Sequence, residues 1–154
     1  MVVLRNWQKQ IIDDFPAIVK KHRRFILKAP TGAGKTILAS EIVEQFYKGK
    51  KILVLCHRLV LLEQLQKALS VRHSVHKLSV SEDGKAFDGY DILLSTNMRA
   101  KDVLEEAIKM ADLIIVDEAH RVSPNGTGYK KIIDDFENEG KIGAQFMGLT
   151  ASPE

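Results

Sequence analysis

Residues 29 to 36 read A-P-T-G-A-G-K-T, a glycine-rich turn that ends in a lysine and a threonine. Gly32 and Gly34 allow the backbone to turn tightly and to direct its N–H groups inward. Lys35 adds a positive charge, and Thr36 adds a hydroxyl suited to a metal. If a helix begins at about Gly34, its positive end also faces a bound anion. The segment predicts a loop that holds the phosphates of a nucleoside triphosphate.

The residues on either side of this loop have the pattern that its mechanism requires. Arg24 to Lys28 reads as a short buried strand, and apolar residues recur in helical rhythm from Thr36 to Tyr47. Ala29 stands where the usual pattern has its first glycine, and alanine is acceptable there if its φ is negative. We expect the phosphate contacts to come from six residues: Thr31, Gly32, Ala33, Gly34, Lys35 and Thr36.

An acidic pair, Asp117 and Glu118, follows the aliphatic run A-D-L-I-I-V of residues 111 to 116. Such a run is typical of a central strand in a parallel sheet, and ligands bind at the carboxyl ends of such strands. Asp117 can hold magnesium together with Thr36, and Glu118 can orient and deprotonate the attacking water. A solvated acidic turn is the alternative for the pair taken alone. Beside the phosphate loop, the pair predicts a catalytic site that includes Lys35.

Strands and helices alternate along the rest of the chain. Further strands are predicted at residues 51–56, 75–80, 91–94 and 144–149, and further helices at 60–69, 101–110 and 129–137. The first helix starts at about Asn6, a plausible cap, and either ends or restarts near Pro16. Loops are expected at residues 82–89 and 124–128. This order predicts an α/β fold with a mostly parallel sheet covered by helices on both faces.

Length, charge and cysteine content narrow the class of protein. The 154 residues and 45% apolar content fit one domain. Residues 1 to 50 carry ten basic and four acidic side chains, which suits either an anionic partner or a solvated helix end. The single cysteine, Cys56, reads as a small core residue and fits a reducing compartment. Neither a membrane span nor a secretory signal is evident, so we expect a cytoplasmic protein without a membrane partner.

Three further segments complete a resemblance to a known family. They are L-R-N-W-Q-K-Q at residues 4–10, L-C-H-R-L-V-L-L-E-Q at 55–64 and G-L-T-A-S-P at 148–153. With the phosphate loop and the D-E-A-H sequence of residues 117–120, the chain resembles the first RecA-like domain of superfamily 2 helicases and translocases nearly from end to end. The sequences L-R-N-W-Q and D-E-A-H-R are most similar to the type III restriction and excision-repair-like branches, whose members act on DNA.

The resemblance implies roles for further residues. Gln8 and Arg5 would read adenine, although Gln8 also suits an exposed polar position on an amphipathic helix. His120, Thr150 and Ser152 would couple the state of the nucleotide to domain movement. Nucleic-acid backbone contacts would come from Arg58, Thr96 and Asn97, with Ser95 beside them. Trp7 either packs under the adenine or buries the first helix. The implied cofactors are ATP and magnesium.

The same resemblance implies an ATP-dependent helicase or translocase that acts on nucleic acid, with DNA favoured over RNA. Enzymes of this type close two RecA-like domains around ATP, and the second domain supplies an arginine. We expect residues 1–154 to be one such domain, the second being absent from this chain, so that hydrolysis is slow and duplexes are not unwound. The alternatives are an RNA helicase and a stand-alone nucleotide-binding module. A small phosphate-loop kinase or phosphatase is disfavoured because no acceptor site is evident.

Overall fold

A computed structural model describes most of the chain. The backbone is described for residues 4–29, 32–56, 59–71, 73–77, 87, 89–96, 101–117 and 127–151. Within these ranges, side chains are described except at residues 32–33, 59–61, 77, 96, 101–103, 127–131 and 151.

Within the described residues, helices and strands alternate as the sequence predicts. The helices are α1 (Asn6–Lys21), α2 (Gly32–Phe46), α3 (Leu59–Ser70), α4 (Lys101–Met110) and α5 (Thr127–Glu139). The strands are β1 (Arg24–Ala29), β2 (Ile52–Cys56), β3 (Val75–Lys77), β4 (Ile92–Thr96), β5 (Leu113–Asp117) and β6 (Gln145–Ala151).

The six strands form one sheet in the order β1-β6-β5-β2-β4-β3. Each of the five neighbouring pairs is parallel. The predicted α/β fold with a parallel sheet is therefore confirmed. Because all strands run the same way, their carboxyl ends meet at one edge of the sheet, which is where the predicted phosphate loop and acidic pair follow β1 and β5.

The sheet separates two apolar cores, which explains why β2 and β5 are buried along their whole length. Alternate residues of β2 face opposite sides: Ile52, Val54 and Cys56 pack with α1, α2 and α3, on what we name the first face. Leu53 and Leu55 pack with α4 and α5 on the second face. Burial on both sides fixes the pairing register, since a slip of one residue would exchange the two sets of side chains.

Helix α1 differs from the prediction at its cap residue and at Pro16. It continues through Pro16 as one helix to Lys21, and Arg5, not Asn6, occupies the cap position. Proline removes one hydrogen bond inside a helix. Apolar side chains on both sides of it, among them Phe15, Ile18 and Val19, pack against the first core and hold the helix together. The packing of these side chains against the core therefore outweighs the tendency of proline to interrupt a helix.

The remaining differences lie at the ends of elements. Helix α2 begins at Gly32, before the expected Gly34, and ends at Phe46. Strand β4 extends to Thr96, past the predicted end at residue 94, because its pairing with β2 continues to Cys56. Helix α5 is longer at both ends than the predicted 129–137. Most of the loop predicted at 82–89 and the first part of that predicted at 124–128 lie outside the described residues.

Candidate functional site

The carboxyl edge of the sheet brings the two predicted halves of the site together. Strand β1 ends at Ala29, and α2 begins three residues later and returns across the first face. Strand β5 ends at Asp117, and β6 lies between β5 and β1. Residues that are 82 positions apart in the chain therefore meet at one edge.

Lys35 and Asp117 form an ion pair at the centre of this edge. The Nζ atom of Lys35 lies 3.0 Å from Oδ1 of Asp117, and the two side chains are only 5% and 6% exposed. Desolvating two charges costs several kcal/mol each, and only a close partner of opposite sign offsets that cost. Removing one member of such a pair typically costs about 3–5 kcal/mol, because the other charge stays buried without compensation. The pair therefore links the start of α2 to the end of β5.

The chemistry of these groups fits a magnesium–nucleotide complex. The first turns of the 15-residue helix α2 contain Gly34, Lys35 and Thr36, so the positive end of the helix and an ammonium group lie together. Asp117 provides carboxylate oxygens, which are ligands that magnesium prefers, and Thr36 provides a hydroxyl. The Lys35 ammonium group, the start of α2 and the Asp117 carboxylate are groups of the kinds that bind phosphates and magnesium.

Gln8 ties α1 to the start of α2. Its side-chain oxygen accepts the N–H of Arg5 at 2.7 Å, and its side-chain nitrogen donates to the carbonyl of Gly34 at 3.1 Å. The residue is 1% exposed, so the alternative of an exposed polar position is wrong. A primary amide has two N–H groups and two lone pairs on oxygen, so its bonds to the described residues use one of each. The adenine contact of Gln8 and Arg5 stays a prediction.

Trp7 packs directly on Gly34. A Cβ atom at Gly34 would lie 2.8 Å from Cη2 of Trp7 and still closer to Cζ2, which is shorter than real carbon contacts. The indole is partly buried against the first core. Gly34 lies within α2 rather than in the preceding turn. Because it has no side chain, α1 can pack closely against α2 at this point, in addition to any role of Gly34 in binding phosphate. Sequence reasoning missed this role, because a glycine in a phosphate loop already had an explanation.

Cys56 lies at the end of β2, one residue beyond the pairing of Leu55 with Val116. It is completely buried. Burial raises the pKa of the Cys56 thiol, the negative charge of Asp117 raises it further, and Lys35 opposes them. A neutral thiol at this position adds no charge beside the ion pair, and the prediction of a small core residue is confirmed.

Comparison with known proteins identifies the family. The model of the ResIII family, described as "Type III restriction enzyme, res subunit", matches residues 1–154. The chain belongs to the ResIII family. It is 30% identical over 163 residues to the Type I restriction enzyme EcoAI endonuclease subunit of Escherichia coli, covering 97% of this chain and 19% of that protein. This ResIII domain thus spans about a fifth of the length of that relative.

Solved structures give the fold of this ResIII domain. The Pyrococcus furiosus Hef helicase domain matches with a TM-score of 0.75 and 26% identity, over 98% of this chain and 33% of that one. The Sulfolobus solfataricus SWI2/SNF2 ATPase core, solved in complex with dsDNA, matches with a TM-score of 0.70 and 22% identity, over 99% and 32%. The predicted RecA-like fold and helicase-type family are confirmed. Among the described residues, no helix of the ResIII domain has the length and apolar content to cross a membrane.

The structure locates only part of the predicted site. Thr150 is buried on β6, and Ser95 is fully buried on β4, so its hydroxyl does not face solvent. Backbone alone is described for three residues: Gly32, Ala33 and Thr96. Six predicted residues lie outside the described part of the chain: Thr31, Arg58, Asn97, Glu118, His120 and Ser152.

Two of the basic residues near the amino terminus have partners within the ResIII domain. The Nη2 atom of Arg23 donates to the carbonyls of Phe136, Gly140 and Lys141, at 3.3 to 3.4 Å. Its guanidinium also lies 4.4 Å from the centre of the Phe136 ring. Arg24 pairs with Glu137 at 2.6 Å. Both arginines therefore bind the carboxyl end of α5. No local signal identifies these partners, which lie more than 110 positions away.

Proposed function

We propose that this domain binds ATP with magnesium at the carboxyl edge of the sheet, between the start of α2 and the end of β5. The contact between Lys35 Nζ and Asp117 Oδ1 at 3.0 Å is the observation that carries the proposal. Lys35 would hold the β- and γ-phosphates, and Thr36 with Asp117 would hold the magnesium. Gln8 and Arg5 would lie toward the base, because Gln8 is bonded to the helix that carries Lys35.

The residues of the site would change partners when the nucleotide binds. Lys35 and Asp117 neutralise each other in the structure, and a bound phosphate and cation would take over these two interactions. Asp117 and Thr36 would hold a magnesium ion there, and that ion would supply positive charge to balance the charge that develops on the phosphate oxygens. Glu118, the residue after Asp117, would orient and deprotonate the attacking water. Because Lys35 and Asp117 are already buried, little water has to leave them before the exchange.

We further propose that the domain is the ATP-binding part of a DNA helicase or translocase. ResIII membership, the helicase-type fold and the match to an ATPase core solved on dsDNA support this function. A second RecA-like domain of the same protein would supply an arginine, which contributes about 10³ to 10⁵ in rate. Without that arginine, the 154-residue chain should hydrolyse ATP slowly and should not separate strands.

An ATPase assay with different nucleic acids tests this function. The natural protein that contains this domain is assayed alone, with DNA and with RNA, and strand displacement is measured on both duplexes. We expect hydrolysis stimulated by DNA, and its loss in Lys35→Ala. The matched control is Lys48→Ala, which removes an exposed lysine just beyond the same helix. Stimulation by RNA alone would reject the preference for DNA, and hydrolysis that survives Lys35→Ala would reject the site.

A further inference from the structure

A histidine and a glutamate meet between α2 and α3. His73 comes shortly after α3, and its backbone N–H donates to the carbonyl of Leu69 at 3.0 Å, so the end of that helix holds it in place. Its Nε2 atom lies 3.4 Å from Oε2 of Glu44, a residue in the last turn of α2. The two side chains are 4% and 27% exposed. This contact therefore bridges the carboxyl ends of two neighbouring helices.

The two facing atoms lack hydrogen bonds. Both Nε2 of His73 and Oε2 of Glu44 are buried, and neither has a hydrogen-bond partner in the described part of the chain. Their separation exceeds the usual length of such a bond, about 2.7–3.2 Å. A buried polar atom without a hydrogen bond destabilises the folded state, and an opposite charge close by offsets that cost. The contact is therefore most favourable when both groups are charged.

The protonation state of His73 decides how strong this contact is. A neutral imidazole presents at Nε2 either a lone pair, which the carboxylate repels, or an uncharged N–H. A protonated imidazole presents an N–H with a full positive charge, and the attraction between two charges is stronger in a buried place than in water. Histidine side chains ordinarily change charge between about pH 5 and 8. The bridge should therefore be strong at the lower end of this range and should weaken as the pH rises.

The charges around the pair leave this sign unchanged. Lys48 lies 3.6 Å from Oε1 of Glu44, the carboxylate oxygen that does not face His73, and its side chain is 76% exposed, so solvent screens its charge. Among the acids of the described ranges, Glu44 alone lies within ion-pair distance of the imidazole. The other ionisable side chains on the elements around the pair are Glu41 on α2, Glu63 and Lys67 on α3, His76 on β3 and Asp91 before β4.

We propose that His73 and Glu44 form a proton-dependent latch between α2 and α3, which is closed when His73 is protonated and weakened when it is neutral. Helix α2 carries Lys35 near its start, and α3 begins directly after Arg58. The latch thus joins the helix of the ion-pair site to the helix that follows a predicted nucleic-acid contact. Without the latch, the carboxyl end of α3 opens more readily. The proposal is independent of nucleotide binding, because neither residue of the latch belongs to the ion-pair site.

Nuclear magnetic resonance of the histidine rings tests the contact directly. The 154-residue chain and its Glu44→Gln variant are titrated from about pH 5 to 8, and the His73 signals are identified by their loss in His73→Gln. We expect the titration midpoint of His73 to lie at least about 1 pH unit lower in Glu44→Gln, because the carboxylate that favours the charged ring is gone. His22 is exposed at the end of α1 and should titrate identically in both proteins. Equal midpoints for His73 in the two proteins would overturn the proposal.

A double-mutant cycle measures whether protons operate the latch. Unfolding in urea is compared for the wild type, His73→Gln, Glu44→Gln and the double variant at about pH 5.5 and about pH 8. The factor by which the two positions jointly change the unfolding equilibrium constant should be at least about fivefold larger at the lower pH. The same cycle with Lys48→Ala is the control, because lysine keeps its charge at both values and its coupling to Glu44 should not change. Equal coupling of His73 and Glu44 at the two values would contradict a latch that depends on protonation.

Discussion

Gly34→Ala tests whether Gly34 is required by the packing of α1 on α2. The added methyl group would lie 2.8 Å from Cη2 of Trp7 and closer still to Cζ2, whereas its distance of 3.4 Å from the Gln8 side-chain nitrogen is tolerable. Trp7 is a rigid ring that packs partly against the first core, so moving it aside would disturb that packing. The substitution should therefore push the two helices apart.

Two opposing effects determine how much Gly34→Ala changes the free energy of unfolding. Replacing glycine with alanine inside a helix stabilises it by at most about 1 kcal/mol. Overpacking a filled site costs about 1–3 kcal/mol. Because the contact with Trp7 would be shorter than van der Waals distance, we expect the cost of overpacking to exceed the gain in helix stability. The net loss should reach about 2 kcal/mol in the free energy of unfolding.

A double-mutant cycle with Trp7→Leu isolates the contact, with unfolding in urea followed by circular dichroism. In the Trp7→Leu background the methyl group has room, so Gly34→Ala should be neutral or stabilise by up to about 1 kcal/mol. Gly49→Ala is the control, because Gly49 has a φ of +77° and no atom within 4 Å of an added Cβ, so its cost should not depend on Trp7. Equal effects of Gly34→Ala in both backgrounds, within about 0.5 kcal/mol, would refute the reasoning.

Three further predictions concern groups that hold the domain together. Arg23→Ala should lower the free energy of unfolding by about 2 kcal/mol, because it removes the hydrogen bonds to carbonyl groups and the contact with the Phe136 ring at the end of α5. Arg24→Ala removes only an exposed ion pair with Glu137 and should lower it by less than about 1 kcal/mol. Unfolding in urea measures both changes. Tyr47→Phe should cost about 1 kcal/mol, since it removes a 2.7 Å hydrogen bond to Gln145. Burial alone would raise the pKa of Asp112, but hydrogen bonds from the Lys141 side chain and the Lys51 N–H outweigh it, so that pKa is lowered. The stability that Asp112 contributes should be complete above its ordinary value of 3.8 and lost as the pH falls below it, and Asp112→Asn should show a smaller fall in melting temperature over that range.

The fold could be predicted because its local signals agree. The aliphatic strands at residues 52–56 and 113–117 and the helix 101–110 follow from hydrophobic pattern alone, and alternating elements imply a parallel sheet. Pro16 misled the prediction for α1, because the packing of Phe15 and Ile18 outweighs one lost hydrogen bond. The sequence pattern alone does not show whether a hydrogen bond lost at proline is outweighed by contacts with residues far away in the chain.

The charged residues of the site could be predicted from the sequence, but the packing contacts that hold the surrounding helices in place could not. The phosphate-loop pattern and the acid after β5 locate Lys35 and Asp117, and their contact follows from strands that end at one edge. The packing of Trp7 on Gly34 and the binding of α5 by Arg23 depend on how helices lie in space. Neither arrangement has a signature at short spacing in the chain, so sequence alone did not show them.

Isothermal titration of the 154-residue chain with ATP, with and without magnesium, tests the proposed site most directly. We expect saturable binding of one nucleotide per chain that is strengthened by magnesium. Asp117→Asn, which keeps the size of the side chain, should lose most of the magnesium effect, and Lys48→Ala should bind as the wild type does. If the folded wild-type chain gives no binding heat, or if Asp117→Asn retains the full magnesium effect, the nucleotide does not lie between α2 and β5.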